Sequence, residues 1–579
     1  MMTERTFGWI QEAYTISNLK RVIKLFVLDS DVNKKLRQDK IPRLVSEKDG
    51  RDEFLSELSN EAIHIPYQHL KGKGLQKGFT RANSPCSGIV QAVLPGQRKE
   101  YQSDWPADSY LRWAVSVGFL VYDRATDECS LSTLGRAYAE STDESEEEEE
   151  ILIKAFLSYP PLCRVMLLLE NNEPLTKFEI GEKLGFIGEA GFTTIPQHLI
   201  LQGLSMVTDK NERNKLLSDT EGTSDKYART ICSWLKQMGW VEQVKKNVTT
   251  NVGNKNYSTD IAQSYQITLK GRKIIKRIKG TSKFAKIPKL VMWDMLATKA
   301  LDRNYLRNRR TYLLKAMQSD YRNLDYLKEY LATKGFDETK ETIKDDIDSF
   351  SNIGLSVSER KNEYKITDTI IGLSIPSEIQ EESISKSNFA CIKDEVRKKL
   401  NFVDHRYLLL IDLGFDSQSN RDYEIQTAEL LTNELDFKGG RLGDTRKPDV
   451  CVYHDKNGLI IDNKAYSKGY SLPMSQADEM VRYLDENKTR QKAVNPNCWW
   501  DIFDASVSKF NFAFVSGEFV SGFKDRLNNI HARTGIKGAA INSINLLLLA
   551  EELKSGRLTY DTCFTYFDTN DEIKNYTVI

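Results

Sequence analysis

One pattern recurs three times in the first two thirds of the chain and constrains the fold more than any other feature. In each copy an amphipathic helix ends at a glycine, an apolar residue follows, and two runs of β-forming residues come next; the glycines are Gly118, Gly239 and Gly354. Glycine after a helix suits the left-handed backbone that other residues resist. A helix followed by a hairpin is typical of winged helix-turn-helix modules, which bind DNA or, in other cases, proteins. The pattern predicts three winged-helix-like units, at least one of which contacts DNA.

The last third of the chain has a different pattern, in which helices and strands alternate. Apolar residues have helical spacing over 422–435, 476–492, 524–531 and 544–553, with short apolar runs at 450–453, 459–461, 510–515 and 539–541. This order predicts an α/β domain with a mixed sheet. A chain of 579 residues also exceeds one core, so we predict a multidomain protein. Its parts are three α+β winged-helix-like units at 1–145, 146–283 and 284–375, a polar linker at 376–389 and the α/β domain at 390–579.

Charge is balanced overall but uneven along the chain. Lys plus Arg and Asp plus Glu both number 82, yet residues 241–300 hold 13 basic and 3 acidic residues, and residues 141–150 hold seven acidic ones. A basic patch on a neutral protein suggests a localised site for a polyanion. A solvated helix face would give the same pattern. The acidic run indicates either a domain boundary or the first turn of a helix, where acids favour the helix dipole.

Cysteine and histidine usage limits the kind of site and the compartment. Eight scattered cysteines without a CxxC pair and six scattered histidines disfavour a zinc site or a disulfide framework. The first 14 residues lack a long apolar run, and no stretch reaches the roughly 18 apolar residues of a spanning helix. We therefore expect a cytoplasmic protein without a membrane partner or a small-molecule cofactor. A metal site would be built from carboxylates, which favours Mg²⁺.

The strongest chemical signal is a Pro-Asp pair at Asp449, followed thirteen residues later by Asp462, Asn463 and Lys464. The spacing fits a hairpin that places the two aspartates side by side. Asp462 and Lys464 are two apart on a strand and so face the same way. Adjacent carboxylates hold a hard cation that lowers the pKa of a bound water, and a lysine can position or deprotonate that water. These parts suit phosphodiester hydrolysis, although both short motifs also occur by chance.

Longer motifs carry a resemblance to a known family. They are RTFGW (5–9), LRWA (111–114), KAFLSYPP (154–161), LTKFEIGEKLGF (175–186), SDKYAR (224–229), RKPDV (446–450), IIDNKAYS (460–467), LPMSQADEMVRYLDEN (472–487), NPNCWW (495–500) and FVSGEF (514–519). In this order, over essentially the whole chain, the sequence resembles the type IIS restriction endonucleases of the FokI/StsI family, and StsI more closely than FokI. In that family a recognition half binds a short asymmetric duplex site, GGATG in the relatives. A tethered nuclease of the PD-(D/E)xK type cuts both strands a fixed distance downstream.

The resemblance implies the chemistry of the last domain. Asp449, Asp462 and Lys464 would be catalytic, and Asp449, Asp462 and the backbone carbonyl of Asn463 would hold Mg²⁺. The unit at 284–375 would dock the nuclease until double-stranded DNA is bound. Cleavage of both strands would need a second copy of the chain.

The resemblance also implies two contact surfaces. Asp478 and Arg482 would form reciprocal salt bridges across a two-fold axis, the simpler alternative being a pair within one helix. Base contacts would come from Gln11, Arg81, Gln97, Trp105, Glu221 and Lys226, with Glu12 and Ser218 where an asparagine would be expected. The main alternative is a winged-helix DNA-binding regulator with a degenerate, dimerising nuclease-like domain, and the second is a monomeric nicking or repair nuclease. The complete Asp–Asp–Lys set favours an active enzyme over the regulator.

Overall fold

The computed structural model describes residues 5–74, 77–80, 84–95, 104–207, 209–252, 255–281, 285–299, 302–380, 386–443 and 446–574. All eight cysteines lie in these ranges and are free thiols, which agrees with the expectation from their spacing. Within the same ranges no single helix is long and apolar enough to cross a membrane. The helices Glu146–Ser158 and Pro160–Leu168 pass the test of length and composition only as a pair, which is bent by 91°.

The three predicted helix–glycine–hairpin units are all present. The helices Asp104–Ser116, Thr223–Gln237 and Lys340–Asn352 are followed by glycines with φ values of 79°, 70° and 98°. In each unit the residue after the glycine donates its N–H to the carbonyl five residues earlier, at 2.9, 2.9 and 3.0 Å. This closure requires a left-handed residue at the helix end, which is why glycine recurs there. The hairpins that follow are Leu120–Asp123 with Glu128–Leu131, Val241–Val252 with Lys255–Ile267, and Val357–Arg360 with Glu363–Ile366.

Further elements complete these units. A third strand joins each hairpin, namely His64–Pro66, Leu175–Thr176 and Arg322–Asn323, and Lys289–Leu290 pairs in parallel with Ile370–Ile371. The other helices are Ile16–Lys24, Asp31–Lys35, Leu36–Lys40 (π), Ile41–Leu44, Lys48–Glu57, Tyr67–Lys71, Ile89–Val93, Thr133–Glu140, Glu146–Ser158, Pro160–Leu168, Lys177–Gly181, Gln197–Met206, Lys210–Asp219, Leu269–Lys279, Trp293–Leu296 (3-10), Arg303–Ser319 and Leu324–Ala332. One continuous apolar core runs through most of them from Phe7 to Ile366, whereas Gln197–Met206 packs into a separate core.

The acidic run and the basic segment meet in the structure. The run forms the first turn of the helix Glu146–Ser158, with Ser145 as its cap. Glu149 lies 2.6 Å from Lys270, and Glu150 lies 2.5 Å from Arg277. The run is therefore a helix start, and part of the basic excess is neutralised within the protein instead of being free for a polyanion.

The last part is a six-stranded mixed sheet, as predicted. In spatial order the strands are Lys438–Arg441, Val450–His454, Asn457–Lys464, Lys509–Ser516, Gly538–Asn542 and Asp571–Glu572; the first two pairings are antiparallel and the other three parallel. The helices Asn388–Lys399, Leu409–Leu413, Asn420–Glu429, Ser543–Lys554 and Tyr560–Tyr566 cover one face, and Met474–Thr489 and Phe523–Thr534 cover the other. Smaller helical segments are His405–Leu408 and Trp499–Ile502 (3-10), Leu430–Glu434 (π) and, in the predicted linker, Ser377–Gln380. Linker residues 381–385 lie outside the described residues.

The α/β domain packs against both the second and the third unit. The helix Gln197–Met206 of the second unit shares an apolar core with one face of the sheet. From the third unit, Asp345 lies 2.8 Å from Arg397 and 2.9 Å from His405 of the α/β domain. The sequence assigned docking to the third unit alone. That assignment was incomplete, because the apolar contact comes from the second unit.

Candidate active site

Strand pairing brings the two predicted aspartates together. Val450 on the second strand pairs with Ile461 on the antiparallel third strand, so Asp449 and Asp462 follow as neighbours at the strand ends. The Asp449 carboxylate accepts a hydrogen bond from the backbone N–H of Asn463 at 2.7 Å. Lys464, on the same strand face as Asp462, places its Nζ 2.9 Å from the Asp462 Oδ2. The three side chains therefore form one cluster at the sheet edge, as the spacing predicted.

The electrostatics of this cluster are those of crowded carboxylates. Burial, the Asp462 carboxylate and Glu424 raise the pKa of Asp449 well above its ordinary value. Burial opposes the charge on Lys464, but Asp462 and Asp449 outweigh it and raise the pKa of Lys464. The cluster thus resists holding both carboxylates ionised together, and Lys464 offsets only part of their charge.

The backbone and the side chain of Asn463 face two different environments. Its backbone N–H binds Asp449, while its side-chain Nδ2 donates to the Thr427 hydroxyl at 2.8 Å on the other face of the sheet. Strand alternation explains this split, since Asn463 lies between two residues that face the carboxylate cluster. The side chain is therefore engaged away from the cluster, and the backbone carbonyl is the part of Asn463 that stays a predicted metal ligand.

The donor set fits a hard divalent cation. Two adjacent carboxylates offer oxygen ligands, and a divalent ion would offset both the burial and the mutual repulsion that raise the pKa of Asp449. Glu424 is a further acid nearby, and its charge is balanced by Arg441 at 2.7 Å. The residues that would hold the ion are Asp449 and Asp462.

Models of known domains match almost the whole chain. A model of the FokI cleavage domain matches residues 386–574. Models of FokI recognition domain subdomains 1 and 2 match residues 5–141 and 148–283, and a model of the FokI D3 domain matches residues 296–362. The domain boundaries proposed from the sequence at 145, 283 and 375 stay predictions.

Full-length relatives agree with these matches. The type II restriction enzyme FokI of Planomicrobium okeanokoites is 37% identical over 575 residues, covering 98% of this chain and 99% of the relative. This chain belongs to the FokI family of type II restriction enzymes. The type II restriction enzyme StsI of Streptococcus sanguinis is 30% identical over 572 residues, covering 96% and 93%. The chain thus resembles FokI more than StsI, contrary to the expectation from the motifs.

Solved structures of FokI have the same fold. FokI alone gives a TM-score of 0.91 at 37% identity over 98% of this chain and 100% of that one, and FokI bound to DNA gives 0.92 at 36% over 99% and 100%. Membership of the FokI family makes the protein a site-specific deoxyribonuclease, and the alternative of a regulator is not favoured. Restriction endonucleases of this kind generally use a divalent metal ion.

Side chains that the sequence reasoning did not assign to the active site surround the cluster of this FokI-family nuclease. The buried ring of Tyr470 lies close enough for Asp462 to raise the pKa of its hydroxyl, second to burial. Glu479 also contributes to the raised pKa of Lys464. Glu479 lies within the segment LPMSQADEMVRYLDEN (472–487), and Tyr470 lies just before it. The sequence reasoning used this segment only for the dimer contacts. Their proximity depends on how the helix Met474–Thr489 packs on the sheet, which spacing alone does not show.

The predicted dimer residues are accessible on that helix. Asp478 lies 2.5 Å from Arg533, and Arg482 lies 3.2 Å from Glu479. The side chains of Asp478 and Arg482 are 52% and 38% exposed. They are therefore available to a second copy.

The predicted base-contact residues separate into three groups. Gln11, Trp105 and Lys226 line one cleft of about 300 Å³, to which Thr298 and Lys299 of the third unit also contribute. Glu221 is instead held in an ion pair with the buried Lys177 at 2.5 Å and with Arg229 at 3.0 Å. The remaining two, Arg81 and Gln97, lie outside the described residues.

Glu12, where an asparagine would be expected, has a defined orientation in the same region. Its backbone is left-handed, with φ of 62°, and its carboxylate accepts a hydrogen bond from the Trp105 indole N–H at 2.6 Å. The carboxylate is thus partly satisfied within the protein, which lessens its repulsion of a phosphate backbone. Ser218 is helical, within Lys210–Asp219.

Proposed function

We propose that this chain is a Mg²⁺-dependent type IIS restriction endonuclease. It binds a short asymmetric site in double-stranded DNA and hydrolyses both strands a fixed distance away. The observation that carries the proposal is the cluster of Asp449, Asp462 and Lys464 at one sheet edge in a chain of the FokI family. The FokI relative solved in complex with DNA supports the choice of substrate.

The three side chains have distinct roles in this proposal. Asp449 and Asp462, with the Asn463 carbonyl, hold Mg²⁺, which when bound polarises a phosphate oxygen and lowers the pKa of a ligated water. Lys464 is charged at neutral pH because the two carboxylates raise its pKa. It is therefore suited to hold a phosphate oxygen or the attacking water by hydrogen bonds and to offset charge that develops on the phosphate.

The recognition half supplies the specificity in the same proposal. The cleft lined by Gln11, Trp105 and Lys226 contacts base edges or the backbone, together with Arg81 and Gln97. Glu221 acts within its ion pair with Lys177 by holding Arg229 in place. Basic residues of 241–280 that are not paired inside the protein bind phosphates.

Cleavage of both strands requires two nuclease domains, because each holds one cluster. We therefore assign Asp478 and Arg482 to a transient interface between two copies on DNA, in which each aspartate meets the other copy's arginine. The protein acts in the bacterial cytoplasm, where Mg²⁺ is plentiful and thiols stay reduced.

The decisive experiment sequences the ends of DNA cut by the purified protein. A plasmid of known sequence is incubated with Mg²⁺ and the wild type, D449N, D462N or D455N. Asp455 lies at the other end of the same hairpin and is exposed, so D455N is the matched control.

Wild type and D455N should give ends at one constant distance from a shared short sequence. D449N and D462N should bind DNA but cut about 10³-fold more slowly, the scale of losing a principal electrostatic group. Randomly placed ends, or cutting that persists in D449N, would reject the proposal.

A further inference from the structure

The helix Met474–Thr489 is bonded directly to the segment that precedes Asp449. The Tyr483 hydroxyl lies 2.8 Å from the backbone carbonyl of Lys447 and 2.9 Å from Glu479 Oε1, so these two acceptors share its one proton. The Tyr483 side chain is buried, at 3% exposure, so water does not compete for this bond.

A second tie joins the neighbouring carbonyl to the same helix. The Nδ2 of Asn495 donates to the backbone carbonyl of Arg446 at 3.0 Å and to Glu486 Oε2 at 2.9 Å. Glu486, on the helix, also accepts from the Trp499 indole N–H at 2.8 Å. Asn495 is fully buried, and its Oδ1 accepts from the backbone N–H of Asn497 at 3.1 Å, so both ends of its amide are hydrogen-bonded.

The segment 446–448 needs such ties because its own backbone supplies few. It precedes the strand Val450–His454, and of its three carbonyls that of Pro448 accepts from a backbone N–H, that of Gly443, at 3.2 Å. Arg446 has a left-handed φ of 66°, which a residue with a side chain resists, and Pro448 has no N–H to donate. Side-chain donors from the helix (Tyr483) and from the loop that follows it (Asn495) therefore fix the backbone that leads into Asp449.

The same helix carries the residues assigned above to the dimer interface. Arg482 lies 3.2 Å from Glu479 and 3.8 Å from Glu486, the two acids that contact Tyr483 and Asn495. The exposed side of the helix thus faces a second copy while its buried side holds the segment before Asp449. The helix Met474–Thr489 and the segment 446–448 are thus joined rigidly to each other.

We propose that Tyr483 on the dimerisation helix, and Asn495, which is bonded to that helix through Glu486, are positioning residues that set the place of the Asp449 carboxylate. The inference rests on the proposed function, since it concerns the metal-binding aspartate and the interface named there. Two copies that join through this helix bring two Asp449 residues into a fixed mutual arrangement. The hydrogen bonds of Tyr483 and Asn495 therefore fix each active site relative to the interface that joins the two copies.

The test compares two tyrosine-to-phenylalanine variants of the full-length protein. Y483F removes the hydroxyl bond to Lys447 and leaves the ring in place. Y560F is the matched control, because the Tyr560 hydroxyl also donates to a backbone carbonyl of the same domain, that of Leu435, at 2.9 Å. Both variants lose one tyrosine–carbonyl hydrogen bond, but only Tyr483 touches the segment before Asp449.

Three readouts are taken: single-turnover cleavage of saturating DNA, its dependence on Mg²⁺ concentration, and hydrogen exchange without metal of peptides that cover 446–464. Y483F should lower the cleavage rate about tenfold and shift half-saturation by Mg²⁺ severalfold upward, with unchanged affinity for DNA. The exchange of the 446–464 peptides should be faster, because the Asn463 N–H is held by Asp449. Y560F should match the wild type in all three.

Two kinds of failure are distinguishable. If wild type cleaves and D449N does not, but Y483F equals Y560F in rate, Mg²⁺ dependence and exchange, the positioning role is wrong and the proposed function stands. If D449N still cleaves, the proposed function itself fails, whatever Y483F does.

Discussion

Asp478 and Arg482 lie one turn apart on the same helix, yet each has a different partner. Asp478 accepts from Arg533 at 2.5 Å, and Arg482 donates to Glu479 at 3.2 Å. A pair between them within the helix was the simpler alternative that the sequence allowed, and the structure gives other partners to both. Because these pairs are at the surface, each is worth only about 0–1 kcal/mol and exchanges readily for a partner on a second copy.

Charge reversal at these positions should separate binding from cleavage. D478R alone and R482D alone place like charges opposite each other across the two-fold axis, so each should linearise plasmid at least about tenfold more slowly than wild type. A 1:1 mixture of the two variants should recover the rate, because in a mixed dimer both arginines of the D478R copy face aspartates of the R482D copy. The measurement is the rate of plasmid linearisation against total enzyme. If the mixture is as slow as either variant, the interface lies elsewhere.

Loosening the contact between the third unit and the nuclease should raise cutting away from the recognition site. Asp345 holds both Arg397 and His405 of the nuclease domain. D345A should therefore increase nicking of plasmid that lacks the site by about tenfold, the effect of roughly 1.4 kcal/mol on the docked population. The control is D348A on the same helix, since the ion pair of Asp348 within the described ranges is local, with Lys344. Equal nicking by the two variants would exclude Asp345 from docking.

Lys226 and Glu221 should behave differently although both are predicted DNA contacts. K226Q removes a cation from the cleft, so it should weaken binding at all salt concentrations and reduce the slope of log affinity against log salt by about one. Its Tm should stay that of the wild type. E221Q leaves the buried Lys177 without its carboxylate and should lower the Tm as well as the affinity. Anisotropy titrations and thermal melts measure both, and an unchanged Tm in E221Q would contradict the structural role.

Asp225, at the start of the helix Thr223–Gln237, should make stability depend on pH. Burial raises its pKa from the ordinary 3.8 to about 7, although Thr194 and two backbone N–H groups oppose this. Between these values the folded protein holds a proton that the unfolded chain has lost. Stability from this group is therefore complete below about pH 4 and declines as the pH rises through about 7.

The variant D225N keeps an oxygen for the backbone donors Ile195 and Gly222 and has no proton to lose. Its Tm, measured from pH 5 to pH 8, should rise relative to that of the wild type as the pH increases. D260N, at an exposed aspartate of the neighbouring hairpin, should follow the wild type. Parallel profiles for D225N and wild type would show that Asp225 is ionised throughout this range.

Several elements could be predicted from the sequence because their causes are local. Each helix–glycine–hairpin unit follows from a stripe of apolar residues and one residue that tolerates a left-handed backbone, as at Gly239. The cluster of Asp449, Asp462 and Lys464 follows from the length of one hairpin and the alternation of side chains on a strand. The spacing of apolar residues, the conformation of a turn and the register of a hairpin depend on residues that are close in the chain. They can therefore be predicted from a single sequence.

The partners of charged groups that lie far apart in the chain were decided by the tertiary structure. Glu221 meets Lys177 from 44 residues away, and Arg277 meets Glu150 from 127 residues away. Tyr483 meets the Lys447 carbonyl only because its helix packs on the sheet. An ion pair or a buried hydrogen bond depends on distance in space, and packing of the apolar cores sets that distance. The sequence by itself determined which units form and where the hydrolytic residues lie, and the packing of those units decided which charges are left free to bind DNA, metal or a second copy.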